Sequence, residues 1–232
     1  MVELLDKILM SNNVVKNFKI VYQDLEFKNW LTNILPEVED CNNLNQDNPW
    51  HIYNCLDHIL HSVEEMNRQT LGLNNNLRRM LAYTMFLHDI GKPQTKIRRY
   101  SKVYKREVDS FFDHNLASEK IANRVLNKFN FSKLESKIIQ TLVKQHDIFM
   151  FITLKEDGNK HHNVLTKDYF ASLINELNQT YNGEKLMEYL IMVGRADNKA
   201  QNPLVIQNSL KLLGKMQDFL LEYKSNQNNP IK

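Results

Sequence analysis

The stretch Leu87-His88-Asp89-Ile90-Gly91-Lys92-Pro93 closes a helix-forming run from Asn76 to Ile90. Read locally, Gly91 supplies a left-handed turn that ends the helix, and Pro93 forbids its continuation. His88 and Asp89 then fall in the last helical turn, with Lys92 just beyond. Counting back at helical spacing, His88 continues the row Leu77, Leu81, Thr84, and Asp89 continues Ala82 and Met85. Both side chains therefore extend an apolar face. A buried imidazole beside a buried carboxylate is costly unless something compensates it, and a metal ion is one such compensator.

Upstream, residues 1–35 read as two short amphipathic helices, the second from Leu25 to Leu35 and stopped by Pro36. Glu39 to Asn48 is polar and Asn-rich, the pattern of a loop. A helix opened by Pro49 then carries the row Ile52, Leu56, Ile59, Leu60, Val63, Met66, flanked by His58. Downstream, residues 94–112 break the helical period with Ile97, Val103, Tyr104, Val108, Phe111 and Phe112 and read as a loop or small β-hairpin. The same stretch holds Lys96, Arg98, Arg99, Lys102, Lys105 and Arg106. Further helices are expected from His114 to Phe129, after the capping box Ser132-Lys133-Leu134-Glu135, after Thr166, from Gly183, and from Asn202-Pro203 to about Lys224. Residues 153–164 form a polar loop, and Ser225 to Lys232 read as a disordered tail.

With 232 residues the chain is long enough for one domain with a sizeable core, preceded by a helical extension over residues 1–35. Only six glycines and five prolines, with little strict alternation, point to an all-α fold. A net charge of +3 makes no global demand for nucleic acid. Cys41 and Cys55 lack zinc-type spacing and read as reduced thiols of a cytoplasmic protein. Glu3 and Asp6 argue against a signal peptide, and the longest apolar stretch, Tyr189 to Val193, is too short to span a bilayer. No membrane partner is expected.

Five helices end or border an apolar row with a metal-capable group: His58, the pair His88-Asp89, His114, His146 and Asp197. One core-facing histidine is usually only hydrogen-bonded. Five helices doing this together would require five separate burial solutions, whereas convergence on one or two ions solves all at once. Six nitrogen and oxygen ligands suit one or two divalent metals, with Mn, Fe, Co, Ni, Mg and Zn all open. Asp89 is the carboxylate able to bridge two ions roughly 3.5–4 Å apart. Each residue has a plainer alternative. His61 rivals His58 on the same helix, Asp197 can pair with Arg195 or Lys199, and Lys92 can be a solvated helix-end charge. His51, His161 and His162 read as surface or loop residues. The basic stretch from Lys92 to Arg106 is either a solvated hairpin or a cationic wall that attracts phosphate.

His58, then His88-Asp89, then Asp197 resembles the H…HD…D pattern of the HD-domain metal-dependent phosphohydrolase superfamily. Leu35-Pro36-Glu37, Gln46, Trp50-His51, Asp57-His58, Leu87 to Pro93 and Arg195-Ala196-Asp197 look more narrowly like the HD region of bacterial CCA-adding and poly(A) polymerase-type tRNA nucleotidyltransferases. The likeness spans about residues 30–205. No Gly-Gly/Ser plus Asp-x-Asp nucleotidyl-transfer signature is present, so a free-standing HD domain over residues 36–224 is expected. The resemblance implies a helical bundle and a four-ligand core of His58, His88, Asp89 and Asp197. It also matches His114 and His146 to the extra histidines of dinuclear members, although His114 sits in Asp113-His114-Asn115 where relatives tend to show Gly-His-Glu.

The expectation is therefore a divalent-metal phosphohydrolase in which an activated water attacks phosphorus. Asp89 would orient or deprotonate that water, Lys92 would meet the phosphoryl charge, and Arg195, Arg98 and Arg99 would bind phosphate. Nucleotides, or cyclic or terminal phosphates of an RNA end, are the implied substrates. The alternatives are a non-catalytic metal-containing HD module that binds RNA or a protein partner, and a diiron oxygenase.

Overall fold

In the computed structural model, which describes residues 1–228, helix follows helix from the first turn of the chain. α1 (Val2–Leu9), α2 (Val14–Val21), α3 (Leu25–Ile34) and α4 (Glu37–Asn42) come first. Residues 1–35 thus hold three helices where two were expected. Pro36 does not simply stop α3: it occupies the cap of α4, where its missing N–H costs nothing, and Glu37, Glu39 and Asp40 favour that N-terminus. α5 (Cys55–Gln69) starts later than Pro49, because the Asn54 side chain accepts from the Asp57 amide and sets the cap there. Ile52 consequently lies outside the helix and is exposed.

α6 (Asn75–Leu87) is buried at every position from Met80 to Leu87. It is enclosed by α1, by α5, and by three later helices: α8 (His114–Val125), α9 (Lys133–Gln145) and α11 (Gly183–Lys199). A helix apolar all round belongs at the centre of a core, and this one carries the His-Asp pair at its end. After α6 come the short α7 (Lys92–Thr95) and an antiparallel hairpin, β1 (Lys96–Ser101) and β2 (Arg106–Phe111), with Lys96 opposite Phe111 and Ser101 opposite Arg106.

A 3₁₀ turn, Leu126–Phe129, extends α8, and α9 opens with the expected capping box, Ser132 and Glu135 each bonding the other's amide. The two-residue parallel strands β3 (Ile152–Thr153) and β4 (Asn163–Val164) frame the polar loop between them. Thr166 caps α10 (Lys167–Asn178) and Asn182 caps α11. α12 (Gln207–Asn228) begins after Asn202-Pro203, because Asn202 is engaged elsewhere: its amide and side chain donate to the carbonyls of Trp50 and Pro49. Of the expected tail, residues 225–228 continue α12, and residues 229–232 lie outside the described residues.

One hydrophobic cluster runs from Leu5 and Phe18 through Leu81 and Phe86 to Leu190 and Leu213, so the N-terminal helices share the core of the rest. Asp6 ties them in, accepting from Tyr83 Oη at 2.8 Å and Arg79 Nε at 2.9 Å. The fold is predominantly helical with a small hairpin, as the composition and periodicity imply. No helix among the described residues is long and apolar enough to cross a membrane.

Candidate metal centre

His58 lies in the first turn of α5, His88 at the C-cap of α6 with Asp89 after it, His114 at the start of α8, His146 at the C-cap of α9 and Asp197 in the last turn of α11. Packing brings them into two overlapping groups, His58-His88-Asp89-Asp197 and Asp89-His114-His146, with ligand atoms within 4.8 Å of one another in each. Asp89 belongs to both. Its Oδ2 lies 3.2 Å from His58 Nε2 and 3.3 Å from His88 Nε2, while Oδ1 lies 3.1 Å from His114 Nε2 and 3.5 Å from His146 Nε2. Asp197 Oδ1 closes the first group at 3.0 Å from His58 Nε2 and 3.5 Å from His88 Nε2.

A single local device aims three of these rings. Nδ1 of His88, His114 and His146 each meets the carbonyl three residues earlier, Met85 at 2.6 Å, Phe111 at 2.7 Å and Val143 at 2.7 Å. Helix C-termini leave carbonyls free, so His88 and His146 at their C-caps find an acceptor ready for Nδ1–H, while His114 at the start of α8 uses the Phe111 carbonyl at the end of β2. His58 Nδ1 faces the Ala200 carbonyl at 3.3 Å. With the protons directed outward onto backbone, every Nε2 is presented to the interior, the arrangement that orients imidazole ligands.

The donor set fits a divalent cation. Nε2 of His58 and of His88 is buried and makes no hydrogen bond. Nε2 of His114 and Nε2 of His146 face each other at 3.1 Å, a contact between lone pairs once both Nδ1 atoms are the protonated ones. A cation among these atoms relieves both conditions, and imidazole with carboxylate suits borderline divalent metals. Without one, charge is shared among the side chains. Burial works to lower the His88 pKa, but Asp89 and Asp197 overcome it and hold the imidazole up to about 10. Burial also works against charge on His58, and the same carboxylates raise it. Burial would raise the carboxyls of Asp89 and Asp197, yet the imidazoles, and Lys92 for Asp89, hold them well below the usual range.

Lys92 is buried, with Nζ 2.5 Å from Asp89 Oδ2, 3.0 Å from Gln46 Oε1 and 3.1 Å from His51 Nε2. All three of its protons have partners, and the Asp89 charge raises its pKa despite burial. His51 lies in a loop, as expected, but is half-buried and engaged rather than free at the surface. Its ring packs edge-on to His58 at 5.1 Å between centroids, and its Nδ1 meets Asn48 Oδ1 at 2.8 Å. Burial, then the Lys92 charge, lowers its pKa well below the usual value, which leaves Nε2 free to accept from Lys92. Gln46 and His51 escape a reading by period because their loop, residues 43–54, has none. The signal within reach was the resemblance, whose residues already include Gln46 and Trp50-His51.

Gly91 plays a different part from the one expected. Its φ is −85°, right-handed, so no left-handed turn is needed. A Cβ there would lie 2.5 Å from Ser118 N, 2.7 Å from Ala117 Cβ and 2.8 Å from the His114 carbonyl. Glycine permits α8 to press against the turn after Asp89, which places His114. Pro93 starts α7 rather than ending a helix. Behind the turn, the free thiols Cys41 and Cys55 face the carbonyls of Ile90 and Asp89 at 3.7 Å.

The rival assignments fall elsewhere. His61 stacks on Tyr53 at 4.2 Å and lies 3.9 Å from Glu64, and half-buried His162 pairs with Asp157. Asp197 accepts from Gln201 and pairs with neither Arg195 nor Lys199. Arg98 is fully engaged by Asp109 at 3.0 Å and Asp47 at 2.7 Å, Lys96 by Asp109 and Arg106 by Asp47. Arg99 donates to Ser110 Oγ and stacks over Phe112, and half-buried Arg195 has no carboxylate partner among the described residues. No protein-family model matches this chain, and no curated protein matches it.

Proposed function

We propose that the chain is a divalent-metal-dependent phosphohydrolase acting on phosphate esters. The observation that carries this reading is Asp89, whose two carboxylate oxygens face two separate sets of imidazoles in one buried centre. The resemblance of His58, His88-Asp89 and Asp197 to the HD pattern supports it. His58, His88, Asp89 and Asp197 would hold one ion, and Asp89, His114 and His146 a second. Such ions, when bound, supply Lewis acidity toward a phosphoryl oxygen and lower the pKa of a water.

The chain itself supplies orientation and charge. The carbonyls of Met85, Phe111 and Val143 fix their histidine rings before any substrate arrives. Asp89, whose carboxyl the neighbouring imidazoles and Lys92 keep ionised, would orient or deprotonate that water. Lys92 fixes Oδ2 of Asp89 and places a positive charge beside the centre, where phosphoryl charge develops. Arg99 and Arg195, free of carboxylates, are the substrate-binding cations in this reading, while Arg98 holds the hairpin to Asp47.

Hydrolysis of aryl phosphate mono- and diesters, with Mn, Fe, Co, Ni, Mg and Zn supplied in turn, tests the proposal. Activity that requires metal and disappears in Asp89→Asn supports it. Silence from folded, metal-loaded protein toward these esters, nucleotides and RNA ends sinks it. A second reading, a metal-containing module that binds RNA without turnover, draws on Lys102 and Lys105, which are exposed and have no acidic partner among the described residues. RNA retention without any hydrolysis would select it.

A further inference from the structure

The tip of the β1–β2 hairpin and the loop before α5 enclose an open cleft of about 430 Å³ lined by Trp50, Arg99, Tyr100, Lys102, Val103 and Tyr104. We infer that this cleft is a base-stacking subsite that takes the nucleobase of a phosphate-bearing nucleotide, free or at the end of a single strand. The assignment of substrate class rests on the phosphohydrolase reading of the neighbouring centre.

Three aromatic rings border one small cleft and none is buried: Tyr100 is 58% exposed, Trp50 44% and Tyr104 39%. Trp50 and Tyr104 meet edge to face, with centroids 5.7 Å apart and planes at 89°. This leaves ring surface open for a flat ligand, and aromatic faces bind any base because every base has a π-face. Trp50 is also held ready. Its amide donates to Asn48 Oδ1 at 3.1 Å and its carbonyl accepts from the Asn202 amide at 2.8 Å.

Charge favours a phosphate-bearing occupant over a purely apolar one. Residues 96–111 carry six lysines and arginines against Glu107 and Asp109. Asp109 is already paired with Lys96 and Arg98, and Arg106 is paired with Asp47. Among the described residues Arg99, Lys102 and Lys105 remain without a carboxylate, and Arg99 is steadied by Ser110 and the Phe112 ring, 5.0 Å away. The chain links the cleft to the centre, since Trp50 precedes His51, whose Nε2 lies 3.1 Å from Lys92 Nζ.

The chain contains two tryptophans, and Trp30 is packed away against Phe27 and Phe129. Trp30→Phe makes Trp50 the sole reporter in a fluorescence titration of the full chain. AMP is expected to quench Trp50, ribose 5-phosphate to leave it unchanged, and Tyr100→Ala to weaken AMP binding about thirtyfold, the middle of the range for one lost stacking contact. Replacing AMP with an adenosine hexanucleotide separates the two sources: tighter binding marks a strand end, equal binding a free nucleotide.

If Trp30→Phe does not fold, calorimetric titration of the unaltered chain and of Tyr100→Ala gives the same comparison. Equal binding of AMP and ribose 5-phosphate, or AMP affinity unaffected by Tyr100→Ala, overturns the inference. The titration reads binding alone, so missing ester hydrolysis would remove the phosphohydrolase reading without touching this result. Hydrolysis without base-dependent binding would remove only the stacking subsite.

Discussion

His114 Nε2 lies 3.1 Å from Oδ1 of Asp89, the carboxylate oxygen that His58, His88 and Lys92 leave free. The second group of ligands therefore depends on α8 and α9, while the first depends on α5, α6 and α11. Removing His146, which shares Oδ1 at 3.5 Å, should strip one metal equivalent and leave the other. Elemental analysis of desalted His146→Ala should find one ion fewer than the parent, and His88→Ala should weaken the first site instead. Equal metal content in His146→Ala and parent would falsify a two-site centre.

Metal uptake should release protons, and more tightly bound metal should accompany rising pH. His88 is held up to about 10 by Asp89 and Asp197 and is protonated at neutral pH without metal. Ligation requires its neutral form. The sign for stability follows from the same shift. A folded pKa above the unfolded value of about 6.5 contributes stability that is full below that value and lost as pH rises through about 10. The gap in melting temperature between metal-loaded and metal-free protein should widen from pH 6 to pH 9. A gap that is flat or narrows would contradict the protonation assigned to His88.

Lys92→Met removes the buried cation beside Asp89 while keeping an apolar stem. In metal-free protein an uncompensated buried charge costs about 3–5 kcal/mol, and bound metal should recover part of that loss. Chemical denaturation with and without metal measures both. Equal losses in the two states would show that Lys92 does not act through Asp89.

Gly91→Ala forces α8 away from the turn, since its Cβ would sit 2.5 Å from Ser118 N. A cost of about 1–3 kcal/mol is expected for such overpacking. Metal at the Asp89-His114-His146 group should weaken before metal at the other group. A variant with parental metal content and stability would mean α8 shifts freely.

Asp109 is buried at the base of the hairpin, bonded to Lys96, Arg98 and the Asp47 amide. Burial would raise its pKa, but these partners lower it. A depressed carboxyl contributes stability above its unfolded pKa of about 3.9 and loses it as pH falls through the folded value. Asp109→Asn should cost about 1–3 kcal/mol at pH 7, and the difference from parent should shrink below about pH 4. Denaturation midpoints across that range provide the check.

The sequence by itself determined the helical character, the hairpin and the row of ionisable groups at helix ends. Ser132-Lys133-Leu134-Glu135 could be read because a capping box is a contact between neighbours in the chain. His58, His88, His146 and Asp197 could be singled out because helical period reports which face is turned inward, whatever that face meets. Pro36 does end α3 as read, but Pro49 was misread for a local reason: proline marks a boundary without saying on which side the next helix starts.

Only the tertiary structure decided what the inward groups meet. Asp89 serving two sets of imidazoles depends on five helices arriving at one point. Gln46 and His51 on Lys92 depend on an irregular loop whose contacts lie about forty residues away in the chain. Gly91 was assigned to a left-handed turn because its need for close approach to α8 is invisible from its neighbours. Arg98 and Arg99 sit side by side in sequence, yet alternation along a strand sends one to Asp47 and Asp109 and the other to Ser110 and Phe112. Period and capping are set within a few residues of chain, whereas burial of charge is settled by which distant groups packing brings within about 4 Å.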